Sequence, residues 1–342
     1  MTPLTPYPAQ VVRRPPPVNL LPEDTALFAH EFEKAFSETA PSEGSWDYTG
    51  EGLLLKPRTG RVDVRSFQSG WPAGLAKNKV WLKGLLYRSS QPRRLVTPAR
   101  GRRFLVITDE FSNGYFHWVT DGLPKLALLG SRLAEFDLVL PAFTHKFGYM
   151  LQSLAAWPEL HYQVVEAKIR SALTDAVVLP ALAPTGNYRP ESILALGEVW
   201  RKTVQPQAPF RRLYVSRAKA PWRKIHNEAE VKQLLQRHGF ETVTLEDLDF
   251  AGQVKLLAET KTLVSNHGAG LTNLLFQTPG TQVLEIRQRG DAHNNCYYAL
   301  AAAAGVTYAY VLADPVRAGE DTHTADITVD LKALEAGLLS LL

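Results

Sequence analysis

Cysteine is almost missing from this 342-residue chain: Cys296 stands alone. A single cysteine excludes an intrachain disulfide framework and a cysteine-rich zinc site, and it fits a reducing compartment. Nowhere do 18 apolar residues follow one another, so no transmembrane helix is expected. The proline-rich start, residues 1–19, has no apolar core of signal-peptide length; a cytoplasmic protein is expected, with peripheral contact to an inner membrane left open. Neither sign of charge dominates: 38 Lys+Arg stand against 34 Asp+Glu, a net charge of +4. That mild balance favours anionic ligands, whether phosphates, nucleotides, nucleic acid or acidic glycans. With 45% hydrophobic and 21% charged residues, the composition excludes wholesale disorder, collagen and coiled coil. The length suits two domains.

What is present is an alternation of strands and helices. Residues 1–22 carry seven prolines and read as an extended arm. Residues 27–36 have the pattern of a short helix, residues 40–100 that of short strands and turns, and Arg93, Arg94, Arg100, Arg102 and Arg103 form a basic cluster. Strands are then expected at 104–108, 136–140, 162–165 and 176–179, and helices at 115–129, 147–157 and 190–204. Gly122 and Pro124 weaken or kink the first helix. After a linker at 205–210, strands are expected at 212–216, 242–245, 262–265, 282–286 and 308–312. Helices are expected at 228–238, 250–259, 271–276 and 297–304, and Leu331, Leu334, Leu338 and Leu342 mark a closing helix. In the helix at 228–238, Asn227 is the expected cap, Glu230 its capping-box partner and Gly239 the stop. Such alternation predicts βαβ units and parallel sheets. The expected fold class is α/β, with two Rossmann-like doubly wound domains facing a cleft. The expected segments are an arm (1–22), a first α/β domain (23–204), a second Rossmann-like domain (205–328) and a C-terminal helix (329–342).

Three motifs carry chemistry. A buried strand runs into His267, Gly268, Ala269, Gly270, Leu271, Thr272 and Asn273. Small residues allow close ligand approach and the amides of a helix start attract anionic oxygen; a tight strand–helix turn with a satisfied histidine explains the pattern as well. Residues 205–225 hold six cations and no acid, among them Arg217 and Arg223, with Ser216 at the strand end. Guanidinium groups suit a diphosphate, although a solvated basic loop is the commoner fate of such a run. Asn113, His117 and Asp121 step by four beside Trp118. They offer a general base on one helix face, or simply its polar side. Asp109 ends the preceding strand and is a further candidate base. Glu285 reads as a strand terminus within reach of ribose hydroxyls. Asp247-Leu248-Asp249 has metal-binding spacing, but Asp249 is better explained as a helix cap. The histidines show no zinc spacing and Cys296 reads as core, so neither a metal nor another cofactor is expected.

Together these segments resemble glycosyltransferase family 61: the stretch 113–124, Ser216-Arg217, the stretch 223–228, the stretch 267–273 and the strand 283–286, in order over residues 100–310. The Asn113-to-His117 spacing is one residue looser than the tightest family form. The resemblance implies a GT-B fold, with the acceptor mainly on the first domain and the sugar nucleotide mainly on the second. It also implies inversion at the anomeric carbon, no obligate metal, and a place in surface-polysaccharide biosynthesis. The implied donor residues are Ser216, Arg217, Arg223, His267, Gly268, Ala269, Gly270, Leu271, Thr272, Asn273 and Glu285. Asp121, His117 and Asp109 are the candidate bases in that order, and Asn113 and Trp118 fall on the acceptor side. The expected partners are a nucleotide-sugar donor and a glycan or lipid-linked saccharide acceptor. A nucleotide-sugar epimerase on the same fold and a non-catalytic glycan- or nucleotide-binding protein are the alternatives. No nucleic-acid recognition signature is present.

Overall fold

A computed structural model describes residues 4–55, 92–109, 111–291, 295–317 and 319–342. The expected turns and strands between 56 and 91 lie outside the described residues. The protein is mixed α/β with two mainly parallel sheets, consistent with a GT-B-like two-domain fold. One compact unit comprises Met1–Gln10 with Phe36–Thr185, the other Val11–Ala35 with Gly186–Leu342.

A short ribbon pairs β1 (Gln10–Arg13) with β2 (Glu33–Phe36). The helix expected at 27–36 therefore shrinks to α1 (Thr25–Phe28) and one 3-10 turn. Phe28, Phe32 and Phe36 have helical spacing, but Arg14 donates its amide to the Phe32 carbonyl and pairs with the buried Glu31. Tertiary pairing overrides local periodicity there.

The sheet of the first unit is built from β3 (Ser42–Thr49), β4 (Leu54–Leu55), β5 (Arg93–Val96), β6 (Arg103–Val106), β7 (Phe136–Leu140), β8 (His161–Val164) and β9 (Arg170–Val178). Its order is β4-β3-β9-β6-β7-β8, with β5 also beside β9. β3 runs antiparallel to β4 and β9, while β5 to β9 pair in parallel. All five residues of β7 are buried, as a parallel strand covered on both faces requires. β9 is longer than the expected 176–179. Exposed Thr174 and Asp175 interrupt its apolar run at a shift in register with β3, where Asp175 adopts φ 53°. The arginine cluster is largely neutralised: Arg93 pairs with Asp47, Arg94 with Glu166, Arg102 with Asp137, and Arg103 with Glu43 and Asp175.

Between β6 and β7 runs α2, made of Tyr115–His117, a π-helical turn Trp118–Gly122, and Leu123–Leu129. Pro124 offers no N–H to the carbonyl four residues back and its ring crowds that carbonyl, so the widened turn falls just before it. α3 (Gly148–Leu154) follows β7.

The second unit is a doubly wound sheet of β10 (Arg211–Val215), β11 (Glu241–Val243), β12 (Thr260–Asn266), β13 (Gln282–Gln288), β14 (Thr307–Pro315) and β15 (Ile327–Thr328), in the order β11-β10-β12-β13-β14-β15. All pairs are parallel except β14 with β15. The helices α4 (Pro190–Val204), α5 (Glu228–Arg237), α6 (Phe250–Ala258), α7 (Cys296–Ala304) and α8 (Leu331–Leu339) belong to the same unit. α4, expected in the first domain, clusters here: a Cβ at its Gly197 would stand 2.7 Å from the Leu275 carbonyl oxygen. The closing helix is part of the core, with Leu334 and Leu338 fully buried in one cluster with Leu284 and Val311. The arm is extended but anchored. Asn19 brackets Tyr310 with two hydrogen bonds, and Tyr298 donates to the Pro15 carbonyl. Asn227 does not cap α5; its amide holds both backbone groups of Val329 instead.

α8 lies so close to the sheet that a Cβ at Gly337 would stand 2.9 Å from Val311 Cγ2 and 3.1 Å from Leu284 Cδ1. Gly337→Val should therefore overpack this contact and cost about 1–3 kcal/mol. Urea unfolding should show a lower midpoint with an unchanged m-value.

Candidate functional site

In an open parallel sheet ligands bind beyond the carboxyl ends of the strands, where the strand order reverses. In the second unit that point lies between β10 and β12. Val215 pairs with Ser265, so the chains leaving the two strands, Ser216-Arg217 and His267-Gly268, emerge side by side. The Arg217 guanidinium lies directly over Gly268: a Cβ there would stand 2.1 Å from Nη1 and 2.6 Å from Cζ. Arg217 Nη2 donates to the Trp222 carbonyl at 3.3 Å, and the Trp222 indole is exposed. The Nε atoms of Arg217 and Arg223 are buried without an acceptor, and neither side chain meets a carboxylate among the described residues. Burial lowers the Arg217 pKa, and the charge of Arg223 lowers it further. Arg223 adopts φ 58°, a conformation costing a non-glycine residue about 1–3 kcal/mol. Its carbonyl is held by Asn266 Nδ2 at 2.5 Å. No acceptor among the described residues takes the amides of Gly268, Ala269 and Gly270. Two guanidinium groups without a carboxylate partner among the described residues and a run of open amides are suited to hold an anion.

Several expected donor residues serve this site from behind. His267 is buried and its Nδ1 meets Glu285 Oε1 at 2.5 Å. Glu285 is not a strand terminus open to ribose: it sits within β13, fully buried, and also accepts from Tyr308 at 2.6 Å. Burial alone would raise its pKa, but His267 and Arg287 hold it below the ordinary carboxylate range. Ser216 is likewise engaged, donating to Glu228 at 2.5 Å and accepting from the Ala218 amide. The expected α-helix after Gly270 is a 3-10 helix, Ala269–Phe276. Its Leu271, Thr272 and Asn273 side chains are buried, and the Leu271 amide closes a turn on the Gly268 carbonyl. Beyond the His267 ring, only the Gly268–Gly270 backbone of that motif therefore remains for a ligand.

In the first unit, His117 Nδ1 and Asp121 Oδ2 lie 3.0 Å apart on α2, both partly exposed. Asp121 occupies the π-helical turn, a distortion frequent at functional sites. Asn113 precedes the helix and does not share its face; its carbonyl accepts from Tyr149 at 2.6 Å. Trp118 presents no acceptor surface, because it is fully buried and donates to Ser153. Asp109 is mostly buried and accepts from the Phe111 amide and the Ser112 hydroxyl. Burial raises its pKa, partly offset by Lys125. Lys125 escaped the sequence reading, although 117, 121 and 125 continue one helical stripe. It is buried, donates to the Ile107 carbonyl at 2.8 Å, and its pKa is lowered by burial against the pull of Asp109 and Asp121.

The Asp-x-Asp segment is a helix start. Asp249 accepts from the Gly252 amide at 2.7 Å and Asp247 pairs with Lys219. Cys296 is buried and burial raises its thiol pKa. Among the described residues no three metal-ligating side chains gather, and no helix is long and apolar enough to cross a membrane.

The Glu285–His267 contact sets a pH dependence. A folded carboxyl pKa below the ordinary 4.5 adds stability above that value, lost as pH falls from there through the folded value. Glu285→Gln should thus be less stable at pH 7 and lose less on acidification below about 4.5. Urea midpoints at neutral and acid pH check both.

The geometry agrees with comparison to known proteins. Over 134 residues, 38% of this chain, the sequence is 31% identical to the EGF domain-specific O-linked N-acetylglucosamine transferase of Drosophila melanogaster. The chain spans about a quarter of that relative's length, 25%. Residues 115–284 match the family model described as Glycosyltransferase 61. That stretch opens with α2 and holds His117, Asp121, Arg217, Arg223 and the His267–Gly270 turn, while Asp109 and Asn113 precede it and Glu285 lies just beyond. With its motifs falling at the strand ends where such chemistry belongs, the stretch 115–284 matches a glycosyltransferase family 61 domain.

Proposed function

We propose that the protein is an inverting glycosyltransferase moving a sugar from a nucleotide-sugar donor to a hydroxyl of a glycan or lipid-linked acceptor. The observation that carries this reading is the half-buried pair Arg217 and Arg223, their Nε atoms buried and without a carboxylate partner among the described residues, beside the open amides of Gly268 to Gly270. A departing nucleoside diphosphate gains negative charge in the transition state, and groups aimed at that charge lower the barrier. These cations and amides are suited to stabilise the leaving group without a metal.

The acceptor oxygen forms its bond to the anomeric carbon as the bond to the diphosphate oxygen breaks, and attack opposite the leaving group inverts that carbon. The acceptor proton passes to a base. Asp121 is the first assignment, because its carboxylate is partly exposed and steadied by His117. His117 is second. Asp109 is third, because its carboxylate already holds its own loop together. The name of the Drosophila relative supports N-acetylglucosamine as the first donor sugar to try, and a folded protein domain as a further acceptor. The resemblance supports work in polysaccharide biosynthesis, and a cytoplasmic setting accommodates the buried thiol of Cys296.

Arg217→Ala should leave the melting temperature unchanged and weaken nucleoside diphosphate binding ten- to a hundredfold, since a charge-assisted bond contributes about 1.5–3 kcal/mol. Calorimetry with unchanged affinity would remove Arg217 from the site.

Asp121→Asn should keep donor affinity and lower turnover by about 10²–10⁴. Should Asp121→Asn turn over normally while His117→Ala is inactive, the base is His117 and Asp121 orients it. Epimerisation of the donor sugar without any acceptor would favour the epimerase reading.

A further inference from the structure

The segment Val11–Ala35 is far in sequence from the rest of the second unit, yet it belongs to it and sends Phe28 into its interior. Phe28 ends α1 and has no exposed surface. Its ring centroid lies 4.9 Å from that of Tyr310, 5.3 Å from that of Tyr298 and 6.2 Å from that of Tyr308. The Arg287 guanidinium stands over the ring, with Cζ 5.3 Å from the centroid. A second tie runs beside it: Asn295 Nδ2 donates to the Leu27 carbonyl at 2.8 Å, while Asn295 Oδ1 accepts from Arg287 Nη1 at 2.6 Å. Arg287 is 1% exposed, and arginine is almost never so buried unless its charge is paired. Its charge acts on Glu285, two residues earlier on the same side of β13. The Tyr308 hydroxyl bridges the two, hydrogen-bonded to Arg287 and donating to Glu285 Oε2 at 2.6 Å. The other Glu285 oxygen meets His267 Nδ1. Contacts therefore run unbroken from Leu27 and Phe28 to the residue that precedes the open Gly268–Gly270 turn.

A buried ion pair recovers its desolvation cost only where the geometry is good and the remaining donors and acceptors are satisfied. The Phe28 ring keeps water from Arg287 and attracts its charge through the negative ring face. Without that ring the guanidinium is free to turn, Glu285 loses a partner, and His267 is held less firmly. We infer that Phe28 is a positioning residue for the anion site: its ring fixes the Arg287–Glu285 pair and, through that pair, the His267 side chain at the head of the glycine turn. The inference rests on the donor-site reading above, and Phe28 itself touches no ligand. The network is also separable from the rest of the core, because Leu284, Ile286 and Val311 lie on the other side of the sheet, toward α8.

The test is calorimetry on the full chain with UDP, GDP, CDP and dTDP, following whichever binds best. Phe28→Leu stays apolar but removes the ring, and should weaken binding about five- to tenfold. Phe28→Tyr keeps a ring over the guanidinium and should restore the affinity. Asn295→Ala breaks the second tie and should weaken binding in the same direction; if the leucine variant does not fold, unchanged affinity here overturns the inference. Gly337→Val is the control, since it disturbs the opposite face of the sheet and should lower stability without altering affinity. In a Glu285→Gln background, Phe28→Leu should have no further effect on affinity, because the connection is already cut. A Phe28→Leu protein that is less stable but binds as tightly as the unmodified chain overturns the inference and leaves the donor site standing. An equal loss of affinity in Gly337→Val does the same. Failure of every diphosphate to bind the unmodified chain overturns the donor-site reading instead. The positioning of His267 is then read from its imidazole 15N NMR signals, identified by their absence in His267→Gln. Phe28→Leu should shift them and Gly337→Val should not; signals that stay in place in Phe28→Leu overturn the inference.

Discussion

The register of β10 against β12 is the constraint on which the candidate donor site depends. These strands are far apart in sequence, yet their parallel pairing sets Val215 against Ser265. Arg217 is thereby brought over Gly268, with no room for a side chain at 268. Slipping the register by one residue would turn every side chain to the other face of the sheet. The buried apolar residues Tyr214, Val264, Leu284 and Ile286 hold it in place. Core packing and ligand chemistry are in this way the same fact seen at the middle and at the end of the strands.

The groups gathered there do not stabilise the unliganded protein. Arg217 and Arg223 repel each other, Arg223 adopts a strained backbone conformation, and acceptors stand unsatisfied at Asn266 and Gln288. Such features persist only where the surrounding structure holds them. Around them are well-satisfied contacts: Glu228 with Ser216, Tyr214 and Lys232, and Glu285 with His267 and Tyr308. An anionic ligand would neutralise the guanidinium charge.

The first unit places its polar groups differently. Pro124 and the widened turn before it set the local geometry of Asp121, while the stripe His117, Asp121 and Lys125 follows from helical spacing. Lys125, the buried end of that stripe, donates to the Ile107 carbonyl under the influence of Asp109 and Asp121. A buried ammonium close to two carboxylates has an electrostatic role that helix periodicity alone does not disclose.

The sequence by itself determined the alternation of strands and helices, the extended arm, the Asp249 cap and the motifs ending at Arg217 and Gly268. Each of these is written in short-range patterns: runs of apolar residues, a capping side chain, prolines, small residues after a strand. Which groups face a ligand was decided only by the tertiary structure. Trp118 and Glu285 look from the sequence like surface residues of a site, but a core surrounds them. Asn227 stands where a cap belongs but binds Val329, 102 residues away. The strand at 33–36 and the placement of α4 in the second unit were decided in the same way. The unsatisfied oxygens of Asn266 and Gln288 carry no sequence signal either. A polar side chain's role depends on which partners long-range pairing brings within hydrogen-bond distance, and that is a property of the folded chain.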